Sequence, residues 1–296
     1  MELSSTKSKF KSWLVILSAI PAYIVILALL QIAFGAILAL STNHQLIDLA
    51  ALDRDYPMIW QLISVLAQLM AALAIIFIYW VKIFKNSIRS IGFELSGSTG
   101  KELVLGFLSG IFLIGAIFLV LLLTRQIEIT DFEFSTKYFL FYILFYLLVS
   151  FHEELLFRGY LLGTTMQVAN KYIVLCIFAS LFSFVHFLTN DFSLLPIINI
   201  FLAGIILGQY YINTKRLWYS ISLHFTWNFF QGPVIGSNVS GNKNMQSIIQ
   251  QDLPGKEWIT GGAFGFEGSV IMTLLLILLI VYFELYLRKR ERVSAQ

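Results

Sequence analysis

The chain has 296 residues, of which 58% are hydrophobic and 12% are charged, and its formal net charge is +3. Soluble domains carry about 25% charged residues, so this composition excludes an ordinary water-soluble protein. The small net charge gives no indication of nucleic-acid binding. The single cysteine, Cys176, excludes a disulfide framework or a thiolate metal cluster within one chain.

The apolar residues form long runs, and a run of about 20 residues spans the hydrocarbon layer as an α-helix. The first run follows a basic segment and is too long for the core of a signal peptide, which indicates a retained span. The runs predict an all-α, polytopic integral membrane protein with eight transmembrane helices. The predicted spans are residues 13–40, 58–81, 103–123, 138–160, 172–189, 193–212, 217–231 and 269–287. The fourth is expected to continue as helix toward Val168.

Basic residues predict the orientation, because loops rich in Lys and Arg stay in the cytoplasm. With eight spans, fourteen of them fall on one side, which predicts a multi-pass cell-membrane protein with both termini in the cytoplasm. They are Lys7, Lys9, Lys11, Lys82, Lys85, Arg89, Lys101, Lys171, Lys215, Arg216, Arg288, Lys289, Arg290 and Arg292. The other side receives Arg54, Arg125, Lys137, Lys243 and Lys256.

The chain is predicted to form one membrane domain with three regions. Residues 1–130 form an N-terminal region of three spans, residues 131–235 a core of spans four to seven, and residues 236–296 the outer loop and last span. The longest loop, at about 232–268, is rich in Gly, Asn and Ser, which predicts turns.

Ionisable residues are costly in the bilayer interior, so those inside apolar spans indicate a functional site. Glu154 and Arg158 in span four lie four residues apart and can pair on one helix face. Glu153 lies about 100° further round the helix, where Arg158 cannot easily neutralise it as well. An alternative interpretation is a structural ion-pair cluster, although such a cluster needs only one acid.

Two histidines on other spans accompany these carboxylates. His186 lies in span five, and His224 in span seven shares a helix face with Asn228, four residues later. A lone buried histidine is usually a hydrogen-bonded core residue, but two of them beside an unpaired carboxylate indicate a shared site. His152 is at most a supporting residue, and His44 lies in an outer loop.

These side chains suffice for peptide-bond hydrolysis without a protein nucleophile. Glu153 and a histidine can hold a water and take its proton, while the second histidine and Asn228 can donate to an oxyanion. The same residues also fit a zinc site with Glu153, His186 and His224 as ligands. We favour the metal-free, glutamate-type interpretation, because a histidine that shares a face with Asn228 suits oxyanion binding better than metal binding.

Two other functional classes stay open at this point. The polar set could serve a non-catalytic membrane partner, in which it stabilises the fold or binds a protein. It could also serve a proton-coupled transporter, since intramembrane Glu and His residues build proton relays. A transporter typically has broken helices or paired halves, and neither is evident here.

Three motifs resemble those of a known protease family. EELLFR (Glu153–Arg158), FSFVH (Phe182–His186) and HFTWN (His224–Asn228) are similar to the EExxxR, FxxxH and HxxxN motifs of the CAAX-protease and bacteriocin-processing (CPBP, or Abi) intramembrane proteases. The segment that links the last two motifs is similar as well. The resemblance covers about residues 138–232.

The resemblance implies an eight-helix endopeptidase that acts on a peptide or lipidated protein at the lipid bilayer. Its substrates would belong to CAAX processing or to bacteriocin maturation, immunity or lysostaphin resistance. The implied roles are water activation by Glu153 and His186, oxyanion stabilisation by His224 and Asn228, and an ion pair between Glu154 and Arg158.

Overall fold

The structure is a computed structural model that describes residues 6–42, 48–187, 193–242 and 246–294, without the side chains of residues 6–12, 187 and 287–294. His44 and Lys243 lie outside the described residues. The elements are α1 (Thr6–Ser41), α2 (Leu49–Asp55), α3 (Pro57–Ile75), α4 (Thr99–Leu123), β1 (Glu128–Phe132), α5 (Thr136–Glu153), α6 (Gly163–Thr165), α7 (Lys171–Phe187), α8 (Leu194–Thr214), α9 (Trp218–Phe229), β2 (Ile249–Asp252), α10 (Glu257–Thr260) and α11 (Val270–Ser294). π-Helical stretches extend α3, α5 and α9, at Ile76–Ile83, Glu154–Leu162 and Phe230–Val234.

Each of the eight predicted apolar segments contains a helix. Within the described residues, five helices are long and apolar enough to cross a membrane: Trp13–Ser41, Pro57–Ile83, Thr99–Leu123, Thr136–Thr165 and Leu194–Thr214. The apolar helices Lys171–His186 and Val270–Tyr286 are shorter. The prediction of a helical, polytopic membrane protein is therefore confirmed, whereas eight spans and the side of the termini stay predictions.

The helical fold also contains one small sheet, which the sequence analysis did not predict and which two loops between helices form. β1 and β2 run antiparallel, with Glu128 opposite Asp252 and Phe132 opposite Ile249. All five residues of β1 are exposed. A strand without alternating buried residues lacks the period-two signal by which strands are recognised in a sequence.

Helix α9, which carries the third motif, packs tightly on α4. Gly106 and Gly110 lie at this contact, where a Cβ on Gly106 would overlap the carbonyl oxygen of Tyr219 and one on Gly110 the hydroxyl of Thr226. Small residues four apart allow membrane helices to approach closely. Helix α4 therefore supports the helix that carries His224 and Asn228.

Helix α8 lies deep in the bundle, in contact with α7, α9 and α11. Its buried Asn199 donates from Nδ2 to the carbonyl oxygens of Glu267 and Ser269, at 2.7 and 2.9 Å. Nearer its end, Nε2 of Gln209 donates to Glu284 Oε2 at 2.8 Å. These bonds tie α8 to both the outer loop and the last helix.

Candidate active site

The first motif lies where the long fifth helix changes its hydrogen-bonding pattern. Glu153 is the last α-helical residue of α5, and the π-helical stretch begins at Glu154. Such stretches often occur at functional sites. The whole π-helical stretch Glu154–Leu162 is buried, so its polar side chains are shielded from lipid.

Glu154 accepts hydrogen bonds from two partners at one oxygen. Arg158 Nη1 donates to Oε1 at 2.7 Å, and both side chains are buried. Nδ1 of His224 lies 2.9 Å from the same oxygen. Since an ionised carboxylate only accepts, this imidazole nitrogen carries the proton. Glu154 thus neutralises the guanidinium and fixes the orientation of the His224 ring.

The guanidinium of Arg158 is held on a second side by an aromatic ring. Its Cζ atom lies 4.4 Å from the ring centroid of Phe182, which is close enough for a cation–π interaction. Phe182 also contacts the ring of His186, with centroids 4.5 Å apart. The first two motifs are therefore packed directly against each other.

Glu153 approaches the other nitrogen of the His224 ring. Its Oε2 atom lies 3.8 Å from His224 Nε2, too far for a direct hydrogen bond. This oxygen is buried and accepts no hydrogen bond from the residues that the structure describes. Each of the two carboxylates thus keeps one buried oxygen without a partner among the described residues, but Glu154 is bound to Arg158 and His224 through its other oxygen.

The orientation of His186 is set by its own helix. Nδ1 lies 2.8 Å from the carbonyl oxygen of Phe182. A carbonyl oxygen only accepts, so Nδ1 is the donor, and the neutral ring carries its lone pair on Nε2. Nε2 of His186 can therefore accept a hydrogen bond or a proton.

A cavity of about 330 Å³ brings the predicted residues together. Glu153, His186, His224 and Asn228 line it from three different helices. Counted in residues from the predicted cytoplasmic ends of their helices, His224 and Asn228 lie less deep in the membrane than Glu153 and His186. The packing of the helices nevertheless brings all four side chains to one cavity. The remaining wall is largely apolar and includes Phe145, Val149, Phe182, Ile200 and Leu207.

One histidine that the sequence analysis weighed lies outside this cavity, and the zinc alternative concerns residues that line it. His152 is buried, and its Nδ1 donates to the Leu148 carbonyl at 3.1 Å; it does not line the cavity. For zinc, the described residues contain no group of three or more His, Cys, Asp or Glu side chains that could hold a metal ion. The zinc site with Glu153, His186 and His224 as ligands therefore stays a prediction.

Sequence analysis missed one carboxylate of the cavity. Glu267 is 3% exposed and lines the cavity from the short 3₁₀ turn Phe266–Gly268. Burial raises the pKa of this carboxyl, whereas hydrogen bonds from Ser240 lower it. Because Glu267 lies outside the apolar spans, in a glycine-rich segment that predicts turns, the intramembrane-charge criterion could not find it.

Comparison with known proteins gives one match. Residues 135–230 match a family model described as type II CAAX prenyl endopeptidase Rce1-like. The match confirms the resemblance to the CPBP and CAAX proteases, and it covers the three motifs from Glu153 to Asn228. It supports a CAAX-type intramembrane endopeptidase in general terms. No curated protein and no solved structure matches the chain.

Proposed function

We propose that this protein is an intramembrane endopeptidase that hydrolyses a peptide bond in a prenylated or otherwise membrane-associated substrate. The observation that carries the proposal is the cavity in which Glu153, His186, His224 and Asn228 meet. The family match supports the same reaction class. A peptide processed in bacteriocin maturation or immunity is the alternative substrate.

The reaction begins with a water between Glu153 and His186. Glu153 Oε2 takes a proton from this water as the water oxygen attacks the substrate carbonyl carbon. Nε2 of His186 accepts the second water hydrogen in a hydrogen bond and so orients the nucleophile. When the tetrahedral intermediate collapses, the C–N bond breaks and Glu153 returns its proton to the leaving amine.

The carbonyl oxygen becomes negative during the attack and needs donors. The side-chain amide of Asn228 supplies one. Since Nδ1–H of His224 is directed at Glu154, donation from Nε2 requires the ring to be an imidazolium. At this stage Glu153 holds the proton of the water, so Glu154, 2.9 Å from Nδ1, is the carboxylate that faces the imidazolium.

We further propose eight spans with both termini in the cytoplasm, on the strength of the basic-residue asymmetry. Reporter fusions after Gln296 and within residues 246–268 are expected to report opposite sides of the membrane. Fusions that report the same side would contradict the eight-span topology.

The hydrolysis we propose needs no metal, because Glu153 and His186 act on water directly. Purified protein reconstituted in liposomes, with less than about a tenth of an equivalent of zinc, is expected to cleave a quenched prenylated CAAX peptide at its full rate. Strong chelators are expected to change the rate less than about twofold. Metal content is measured on the same active sample.

A strict one-to-one dependence of the rate on zinc would contradict the metal-free mechanism and leave the protease function intact. Zinc affinity would then fall as the pH drops through the histidine range, because His ligands must be neutral. Failure to cleave the peptide with or without metal would favour a non-catalytic membrane partner instead.

A further inference from the structure

The carboxylate of Glu267 is held by donors on both of its oxygens. Trp227 Nε1 donates to Oε1 at 3.2 Å. The backbone nitrogen of Ser240 donates to Oε2 at 2.5 Å, and the Ser240 hydroxyl lies 3.3 Å from the same atom. Indole and backbone N–H groups can only donate. One such donor on each oxygen matches an ionised carboxylate better than a protonated acid.

The backbone around Glu267 is fixed as firmly as its side chain. The Asn199 amide donates to the carbonyl oxygens of Glu267 and Ser269, and Thr273 Oγ1 donates to Asn199 Oδ1 at 2.7 Å. Gly265, two residues before Glu267, has a φ of 92°, and a Cβ at this position would overlap the carbonyl group of Asn238. The outer loop therefore holds this charge at a defined place in the cavity wall.

The charges that line the cavity are predominantly negative. Glu153 and Glu267 contribute two carboxylates, the His224 imidazolium of the proposed mechanism offsets one of them, and among the described residues no Lys or Arg side chain lines the cavity. Arg158 is paired with Glu154 and does not line the cavity. Like charges repel more strongly where protein replaces water. An acidic substrate side chain is therefore disfavoured here, and a basic one is favoured.

We propose that Glu267 is a specificity-determining residue: together with Glu153 it makes the cavity accept neutral or basic peptide side chains beside the scissile bond and reject acidic ones. The inference rests on the proposed endopeptidase function and names its substrate class. Trp227, which donates to Glu267, precedes Asn228 in the chain. This places the selective charge next to the wall that carries the oxyanion donor.

Three quenched prenylated CAAX peptides test the proposal. They are identical except for Ala, Lys or Glu at the residue that follows the scissile bond. Affinity is measured by fluorescence anisotropy and cleavage by the release of quenching, with protein in neutral-lipid liposomes. Because burial raises the pKa of Glu267, the assay is run on the alkaline side, at about pH 8, which favours the ionised carboxyl.

The wild-type protein is expected to bind and cleave the Lys and Ala peptides with Kd and KM values at least about tenfold below those of the Glu peptide, since one charge repulsion in a shielded site is worth about that factor. In the Glu267→Gln variant, the Kd and KM values of the Glu peptide are expected to lie within about threefold of those of the Ala peptide. The matched control is Glu257→Gln, which removes an exposed carboxylate from the same loop and is expected to keep the wild-type ratio.

Equal affinities of the wild-type protein for the three peptides would overturn the proposal, and this comparison requires no folded variant. An equal loss of activity by Glu267→Gln on all three peptides, with an unchanged Glu-to-Ala ratio, would assign Glu267 a purely structural role. Charge-selective binding without cleavage would contradict the endopeptidase function and support the selectivity. Absence of binding to all three peptides would overturn both.

Discussion

Replacing Glu153 by Gln is expected to lower kcat by about 10²–10⁴-fold, the usual contribution of a general base. The amide of Gln cannot take the proton of the attacking water. The fold is expected to survive, because Glu153 Oε2 makes no hydrogen bond to the described residues and the neighbouring Glu154 pairs with Arg158. Steady-state cleavage and thermal unfolding of the same preparations measure the two effects.

Glu128→Gln is the matched control for this substitution. Glu128 lies on the exposed strand β1, so its replacement is expected to leave both kcat and thermal stability at wild-type values. A Glu153→Gln protein that keeps more than about a tenth of the wild-type kcat would remove Glu153 from the role of general base, given the factor expected for such a group.

Replacing Glu154 by Gln is expected to act mainly on stability. The substitution leaves the buried guanidinium of Arg158 without its counter-charge and weakens the bond that orients His224. Removing one partner of a buried ion pair costs about 3–5 kcal/mol. Denaturant or thermal unfolding in detergent is expected to show this loss, together with a lower yield of folded protein.

A second substitution separates an unpaired charge from a general packing defect. In the double variant Glu154→Gln/Arg158→Met both charges are gone, and an apolar side chain of similar length fills the space. Because buried ion pairs can often be replaced by apolar residues at little cost, the double variant is expected to be more stable than Glu154→Gln. If it is less stable, or if Glu153→Gln loses as much folded protein as Glu154→Gln, the structural ion-pair cluster becomes the better interpretation.

The helices were predictable because an apolar run of about 20 residues in a membrane protein forms a helix that spans the bilayer. Each predicted segment contains a helix, and the fourth extends as a π-helical stretch and α6 to Thr165, three residues short of the predicted Val168. The i and i+4 spacing of Glu154 and Arg158 predicts the ion pair between them, which the structure contains. Such local relations depend only on helix geometry.

Contacts between distant segments could not be predicted in this way. The bond from His224 to Glu154 joins residues 70 positions apart, and no periodicity within either helix reports it. Glu267 reaches the cavity from a loop that turns at two glycines with positive φ, Gly261 and Gly265. An acidic residue in a turn-rich segment otherwise suggests a solvated side chain. The pairing of β1 with β2 is likewise a contact between two polar loops.

The central claim is that Glu153 and His186 act together on one water. It is tested most directly by the rate of single-turnover cleavage of the prenylated peptide. This rate is compared among the wild-type protein, Glu153→Gln, His186→Ala and the double variant. Residues that act as a unit are strongly non-additive. The double variant is therefore expected to cleave at the rate of the slower single variant, within about threefold. A double variant whose loss of rate equals the product of the two single losses would show that the two side chains act independently, and would contradict a shared water in this cavity.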